Sequence, residues 1–276
     1  MATLYLVATP IGNLEDVTLR ALRVLREADL LLAEDTRRTR VLLERHGIPG
    51  RPRSLHAHNE AARSGEVLAA LEAGRDVALV SDAGTPLVSD PGARLVAVAL
   101  DAGHAVTAIP GPSAALAALS VSGLPALPFS VIGFPPRGAA ARRKLFEGYR
   151  ERPETLVLFE SPRRLVATLR AARAVLGDRR ACVARELTKL HEEALRGPLS
   201  ELAERLAEGV RGEVTLVIEG AQPARSDAAA LDGRIRGLLR AGHTPREIAA
   251  RLAGEAGVPK REVYARALDA RERAGR

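Results

Sequence analysis

A few loops hold most of the residues able to do chemistry. The segment Ser81-Asp82-Ala83-Gly84-Thr85-Pro86-Leu87-Val88-Ser89-Asp90-Pro91-Gly92 joins small side chains, turn residues and two carboxylates directly after the apolar run Asp76–Val80. Small side chains leave room for a ligand against the backbone, and Asp82 offers an acceptor to a polar or cationic group. Ala8-Thr9-Pro10-Ile11-Gly12-Asn13 and Pro110-Gly111-Pro112-Ser113-Ala114 are of the same kind, each a place where backbone can approach a ligand closely. Glu34-Asp35-Thr36-Arg37-Arg38 sets two acids and two arginines where a strand gives way to a helix. Asp35 or Thr36 can equally serve as a helix cap there.

In Leu55-His56-Ala57-His58-Asn59-Glu60 the two histidines share a side of an extended segment. No third metal ligand accompanies them, so no metal is expected. Contact with a polar substrate, or capping of the next helix by Asn59, explains them better. Phe159-Glu160-Ser161-Pro162 and Arg185-Glu186-Leu187-Thr188-Lys189 complete the set. No G-x-G-x-x-G occurs, which argues against an ordinary dinucleotide site.

The elements that must position these loops alternate along the chain. Leu4–Ala8, Leu30–Ala33, Asp76–Ser81 and His104–Ile109 read as strands. Between and after them Asp16–Ala28, Thr36–His46, Glu60–Ala73, Pro91–Ala102 and Pro112–Val121 read as helices. Past the breaker-rich Gly123–Pro128 the alternation restarts. Strands are expected at Phe129–Ile132, Thr155–Phe159, Ala181–Glu186 and Glu213–Ile218, and helices at Ala139–Tyr149, Pro162–Leu176 and Leu199–Ala207. Strands spaced by helices predict an α/β fold with largely parallel sheets, arranged as two α/β domains with a cleft between them. In such sheets ligands sit beyond the carboxyl ends of the strands, where the loops above fall.

Domain boundaries are expected at residues 1–122, 123–222 and 223–276, the last a linker and a basic helical tail. Thr244-Pro245-Arg246-Glu247 reads as a helix start with cap, first-position proline and third-position glutamate. A turn at Gly257-Val258-Pro259 then gives the outline of a helix-turn-helix, although a plain helical cap fits as well.

The 276 residues are 46% hydrophobic, enough for packed cores and against disorder. No apolar run approaches the ~18 residues of a membrane span. Cys182 is the one cysteine, which excludes an internal disulfide and a cysteine-based zinc site. Met1 leads directly into Leu4-Tyr5-Leu6-Val7 without a basic leader, so a cytoplasmic location is expected. The net charge of +7 favours a polyanionic partner, most naturally nucleic acid. Of 41 basic residues all but Lys144, Lys189 and Lys260 are arginine. Lysine can lose its proton when desolvated and arginine cannot, which singles out Lys189.

Taken in order, V-A-T-P-I-G-N-L-E-D, A-E-D-T-R, H-N-E, V-S-D-A-G-T-P-L-V-S-D-P-G, I-P-G-P-S-A, F-E-S-P-R-R and R-E-L-T-K-x-x-E resemble the tetrapyrrole methylase superfamily, and within it the branch that acts on ribosomal RNA. The resemblance covers roughly residues 3–220. It implies S-adenosylmethionine as methyl donor, bound between two α/β domains. The donor contacts it implies are Thr9, Pro10, Asp82, Gly84, Thr85, Ser113, Ala114, Phe159, Leu187 and Val214. It also implies a target, the 2′-hydroxyl of a cytidine in the decoding region of 16S rRNA, either free or within the 30S subunit, and a homodimer.

Candidate bases for the hydroxyl proton are Lys189, Glu186, Asp35, His58 and Glu60. Arg37, Arg38, Arg40, Arg137, Arg142, Arg143 and Lys144 are the expected phosphate contacts, with His58 and Asn59 beside them. The low aromatic content predicts recognition by shape and backbone rather than by stacking. Two rivals remain open from the residues: a porphyrinoid methylase of the same fold, which needs arginines inside the cleft, and a helix-turn-helix nucleic-acid binder.

Overall fold

The computed structural model describes residues 2–56, 59–222, 228–256 and 258–274. The chain divides into two compact units, one of Met1–Gly148 with Glu154–Glu219 and one of Tyr149–Pro153 with Gly220–Arg276.

The first unit carries two five-stranded sheets. Strands β1 (Thr3–Val7), β2 (Leu30–Ala33), β3 (Arg53–Ser54), β4 (Val77–Val80) and β5 (Ala105–Ile109) form the first, in the order β3-β2-β4-β1-β5 and parallel throughout. Every residue of β2 and β4 is buried, as expected of inner parallel strands covered on both faces. Helices α1 (Leu19–Glu27) and α2 (Thr36–Arg45) pack on one face through Val24, Leu25, Leu42 and Leu43. Helices α3 (Glu60–Glu72) and α4 (Ala93–Asp101) cover the other through Val67, Leu71, Leu95 and Ala99. The chain leaves β1 toward β2 and leaves β4 toward β5, in opposite directions from adjacent strands. That arrangement opens a crevice beyond their carboxyl ends.

Helix α5 (Ala114–Ser122) then leads into the second sheet, built from β6 (Phe129–Gly133), β7 (Thr155–Glu160), β8 (Arg180–Arg185), β9 (Glu193–Pro198) and β10 (Val214–Ile218). Its order is β6-β7-β10-β8-β9. Helices α6 (Ala139–Glu147), α7 (Leu165–Leu176) and α8 (Leu199–Arg205) belong to it. Helix α5 packs against this sheet through Ala115, Ala118 and Leu119, facing Val157, Cys182 and Val217.

Here the structure departs from the expected parallel pattern. Only β6 and β7 pair in parallel; β10 runs antiparallel to both β7 and β8, and β9 antiparallel to β8. The cause is β9, a strand the sequence does not announce. Glu193-Ala-Leu-Arg-Gly-Pro alternates poorly and ends in Gly and Pro, residues that an edge strand tolerates and an inner one does not. Because β8 turns back at once into β9, residues 186–192 form a hairpin connection rather than a strand-to-helix loop. The antiparallel β10 also brings its amino end, Val214, beside Glu160 and Arg185 at the carboxyl ends of β7 and β8.

In the second unit α9 (Ala228–Arg240), α10 (Pro245–Ala256) and α11 (Lys260–Ala274) share a core of Leu231, Ile235, Ile248, Leu252, Val263 and Ala267. The predicted helix start is a capping box. The Glu247 N–H donates to Thr244 Oγ1 at 3.4 Å, and the Thr244 N–H donates to Glu247 Oε2 at 2.8 Å. Thr244→Ala should therefore cost about 1 kcal/mol. Hydrogen exchange of the α10 amides in the full chain reads that loss directly. Among the described residues no helix is long and apolar enough to cross a membrane.

Candidate active site

The crevice in the first unit begins with backbone. Thr9 and Gly84 exchange both of their backbone hydrogen bonds at 2.9 Å, tying the loop after β1 to the loop after β4. The buried Thr9 hydroxyl donates to Ser81 O at 3.0 Å, and the Ser81 hydroxyl donates to Gly84 O at 2.8 Å. Gly84 lies at φ +81, a conformation L side chains rarely adopt.

Beyond this clasp lies a cleft of about 390 Å³, within the usual size of a ligand site. Of the expected donor contacts, Gly84, Thr85, Ser113, Ala114, Phe159, Leu187 and Val214 line it. Thr9, Pro10 and Asp82 instead line an adjoining cavity of about 330 Å³, together with Arg38 and Lys189. Ile11, Ala83 and Glu213 belong to both walls. The acids lining the larger cleft are Asp90, Glu160 and Glu213, and no Lys, Arg or His lines it among the described residues.

The hairpin 186–192 is seated by close packing. Glu186 and Thr188 take positive φ values of 50° and 67° without being glycine. A Cβ on Gly12 would stand 2.7 Å from Thr188 Oγ1 and 2.9 Å from Leu187 O, so only glycine lets the first loop touch this turn. Gly12→Ala should cost ~1–3 kcal/mol by overpacking. Gly65→Ala, inside α3 where an added Cβ meets nothing within 4 Å, should not lower the melting temperature. Thermal melting of the two variants side by side checks the contrast.

Lys189 Nζ donates to Glu186 Oε1 at 3.0 Å and lies 3.2 Å from Glu213 Oε2. Burial disfavours its ammonium, but the two carboxylates outweigh that and hold its pKa above the ordinary amine value. Glu186 is held below the usual carboxylate range by the Glu213 backbone N–H and then by Lys189. This pair is a fixed cation and its anchor, poorly suited to accept a proton. Asp35 fares no better as a base. It caps α2 by accepting from the Arg37 N–H at 2.9 Å, and the Arg37 guanidinium grips both of its oxygens. These hydrogen bonds draw its pKa down to about 2.

The remaining expected residues do not share one location. Arg38 faces the smaller cavity. Arg143 is exposed and paired with Glu147. Arg142, expected as a phosphate contact, is only 7% exposed and turns inward in α6, so it does not present its guanidinium to a polyanion. Asn59 precedes α3 but makes no side-chain cap. It accepts from the His56 N–H at 2.8 Å and donates to Ser54 O at 3.2 Å, knitting its own loop together. Glu60 accepts from the Leu95 N–H at 3.1 Å. His58 lies outside the described residues.

Among the cleft residues missed from the sequence alone, Phe134 and Asp90 stand out. Phe134, just past β6 and 58% exposed, stands with its ring centroid 5.7 Å from that of Phe159. The logic that picks out the loops at the other strand ends reaches Phe134 once it is extended to β6. Asp90 sits in the small-residue loop already singled out, where only Asp82 drew attention. Burial first, and then the charges of Glu34 and Asp82 with a hydrogen bond to Glu34, push Asp90 up to about 7.

Comparison with known proteins agrees with this geometry. A family described as tetrapyrrole (corrin/porphyrin) methylases matches residues 3–203. A Micromonospora olivasterospora protein named ribosomal RNA small subunit methyltransferase I is 48% identical over 99% of this chain and 88% of its own length. A protein of the same name from Mesorhizobium japonicum is 46% identical over 99% of this chain and 93% of its own. A crystal structure of uroporphyrin-III-C-methyltransferase from Thermus thermophilus superposes with a TM-score of 0.57 at 25% identity, over 79% of this chain and 94% of that one. The chain belongs to the tetrapyrrole methylase family, in the group of relatives named ribosomal RNA small subunit methyltransferase I.

Proposed function

We propose that the protein transfers a methyl group from S-adenosylmethionine to the 2′-hydroxyl of a cytidine in the decoding region of 16S rRNA. The observation that carries this reading is near-full-length likeness to relatives named for methylating small-subunit rRNA, in a chain whose cleft is lined by acids. A cleft that carboxylates line, and that no Lys, Arg or His lines among the described residues, suits a sulfonium cation better than an anion. Phe134, Phe159, Leu187 and Val214 give apolar surface for an adenine ring.

The bound donor supplies an already activated methyl group. The protein's own contribution is alignment, since holding the acceptor oxygen in line supplies much of the barrier reduction. Arg38 and Lys189, facing the adjoining cavity, offer positive charge to the RNA backbone. The exposed Phe134 adds a stacking surface that the low aromatic content did not promise.

The porphyrinoid reading requires basic groups to meet a ring bearing many carboxylates; the near-full-length likeness to relatives named for small-subunit rRNA favours RNA instead. Supplying labelled donor with either unmethylated 30S subunits or a porphyrinoid acceptor tests the choice. Label should enter the RNA; label in the porphyrinoid alone overturns the proposal. A homodimer is part of the same proposal, to be read by light scattering.

A further inference from the structure

The chain has four Phe, three Tyr and no Trp, and two of the Phe stand together at the cleft. Phe159, near the end of β7, packs against the core that holds Val157, Leu187 and Val217. Phe134 stands outside that core. It is 58% exposed, and its ring meets that of Phe159 at an interplanar angle of 55°. A ring left open in this way offers its π-face to whatever enters the cleft from solvent.

Buried charge holds the Phe134 loop still. Glu160 is 2% exposed and has both oxygens occupied: Oε1 accepts the Ser161 N–H at 2.8 Å, and Oε2 accepts the Thr168 hydroxyl at 2.6 Å and Arg164 Nη2 at 3.2 Å. Arg164 Nη2 also reaches the carbonyls of Pro135 and Pro136, at 2.5 and 3.4 Å. Arg142, turned inward, donates to Arg137 O at 3.5 Å. On the amino side, Gly133 lies at φ +72, and a Cβ there would stand 2.9 Å from Ser89 Oγ. The two prolines fix their own φ. An ion pair this buried is costly unless its remaining hydrogen bonds are met, and here the loop beside Phe134 meets them. The ring is therefore held in place before any ligand arrives, so contact with it carries little ordering cost.

We propose that Phe134, held by the Glu160–Arg164 clamp, is the platform on which the base of the target nucleotide stacks while its ribose is methylated. This rests on the ribose methylation proposed above. Single-stranded RNA is recognised through bases that are splayed out and stacked on aromatic side chains. The acceptor belongs to a macromolecule and must reach the cleft from its open side, where Phe134 lies. The better buried Phe159, Leu187 and Val214 remain for the donor. A base fixed at the mouth restrains the sugar attached to it, and restraint of the acceptor is the chain's share of the chemistry. Glu160 and Arg164 act through Phe134 and are positioning residues.

The test uses the full chain as wild type, Phe134→Ala, Phe134→Leu and Phe134→Tyr, each checked by thermal melting. The acceptor is unmethylated 30S subunits or free 16S rRNA, whichever the wild type methylates. Single-turnover rates are followed against acceptor concentration with donor saturating, and S-adenosylmethionine affinity is measured by calorimetry. Phe134→Ala should raise the acceptor concentration that half-saturates the rate by ~10–100-fold, the range of one lost base–aromatic stack. Phe134→Leu keeps apolar bulk but no π-face and should be nearly as impaired, whereas Phe134→Tyr should stay near wild type. Donor affinity should remain within a few-fold in all three. Arg164→Lys keeps a charge beside Glu160 and loses the fork that reaches two carbonyls. It should weaken use of RNA several-fold alone and add little to Phe134→Ala.

A Phe134→Ala enzyme with wild-type dependence on acceptor concentration overturns the proposal. So does a loss confined to donor affinity, which would make the ring a donor contact, and so does a Phe134→Leu enzyme as good as Phe134→Tyr, which would reduce the ring to apolar bulk. Losses that multiply in full when Phe134→Ala and Arg164→Lys are combined overturn the clamp. A wild type that binds donor yet methylates no RNA overturns the functional reading instead.

Discussion

Ala114→Phe should weaken donor binding roughly a hundredfold without unfolding the protein. Ala114 opens α5 and lines the cleft at the margin of the core that Ala115 and Ala118 enter, so a phenyl ring there fills ligand space. Displacing the apolar contacts of one bound ring costs about 3 kcal/mol, or roughly a hundredfold in affinity. Leu116→Phe is the matching control, two residues along the same helix and exposed, where the same bulk should change nothing. Calorimetry with S-adenosylmethionine, alongside melting curves, separates a filled cleft from a damaged fold.

Gly92→Ala should be the most damaging small substitution near the site. Gly92 holds φ at 121°, and a Cβ there would stand 2.6 Å from Leu79 Cδ2 and 2.9 Å from Leu87 Cδ2. Leu79 is 2% exposed in the centre of the first sheet and has nowhere to retreat. Backbone strain and overpacking together should cost ~2–6 kcal/mol. Gly74→Ala isolates the backbone share: φ is +77, but an added Cβ meets nothing within 4 Å. It should cost only ~1–2 kcal/mol. Denaturant unfolding of both variants gives the difference, and Gly92→Ala should also dislodge the loop bearing Asp90.

Much of this molecule is legible from residue order because its signals are local. Apolar runs such as Leu30–Ala33 and Val77–Val80 can only be inner strands, and glycines past α3 and α4 mark where those helices stop. The small-residue loops come out of the same reading, since in a parallel sheet every strand ends on one side. What local reading misses depends on neighbours distant in sequence. Strand β9 exists because the exposed edge of β8 accepts it, and nothing in Glu193–Pro198 demands it. Without β9 the reversal of β10 is invisible, and with it the route that brings Val214 to the cleft.

The acid–base roles are harder still to read. Lys189 looks like a base as an isolated residue, yet Glu186 beside it and Glu213 from across the hairpin fix it as a cation. Asp90 looks like one turn residue among several, and its raised pKa comes from burial first and then from the charge of Glu34, far away in sequence. Charge environments of this kind belong to the folded chain. Arg142 makes the same point in reverse, because residue type suggests surface and packing puts it inside.

An acid-lined cleft that turns a charged methyl donor onto a sugar hydroxyl of small-subunit RNA must leave one chemically defined product. Incubating the protein and labelled donor with 30S subunits from a strain lacking this modification generates it. Nuclease digestion and mass spectrometry of the 16S rRNA then identify it. A single labelled nucleoside, 2′-O-methylcytidine in the decoding region, is expected. Label on a base, or none in the RNA while donor is bound, would contradict the proposed transfer.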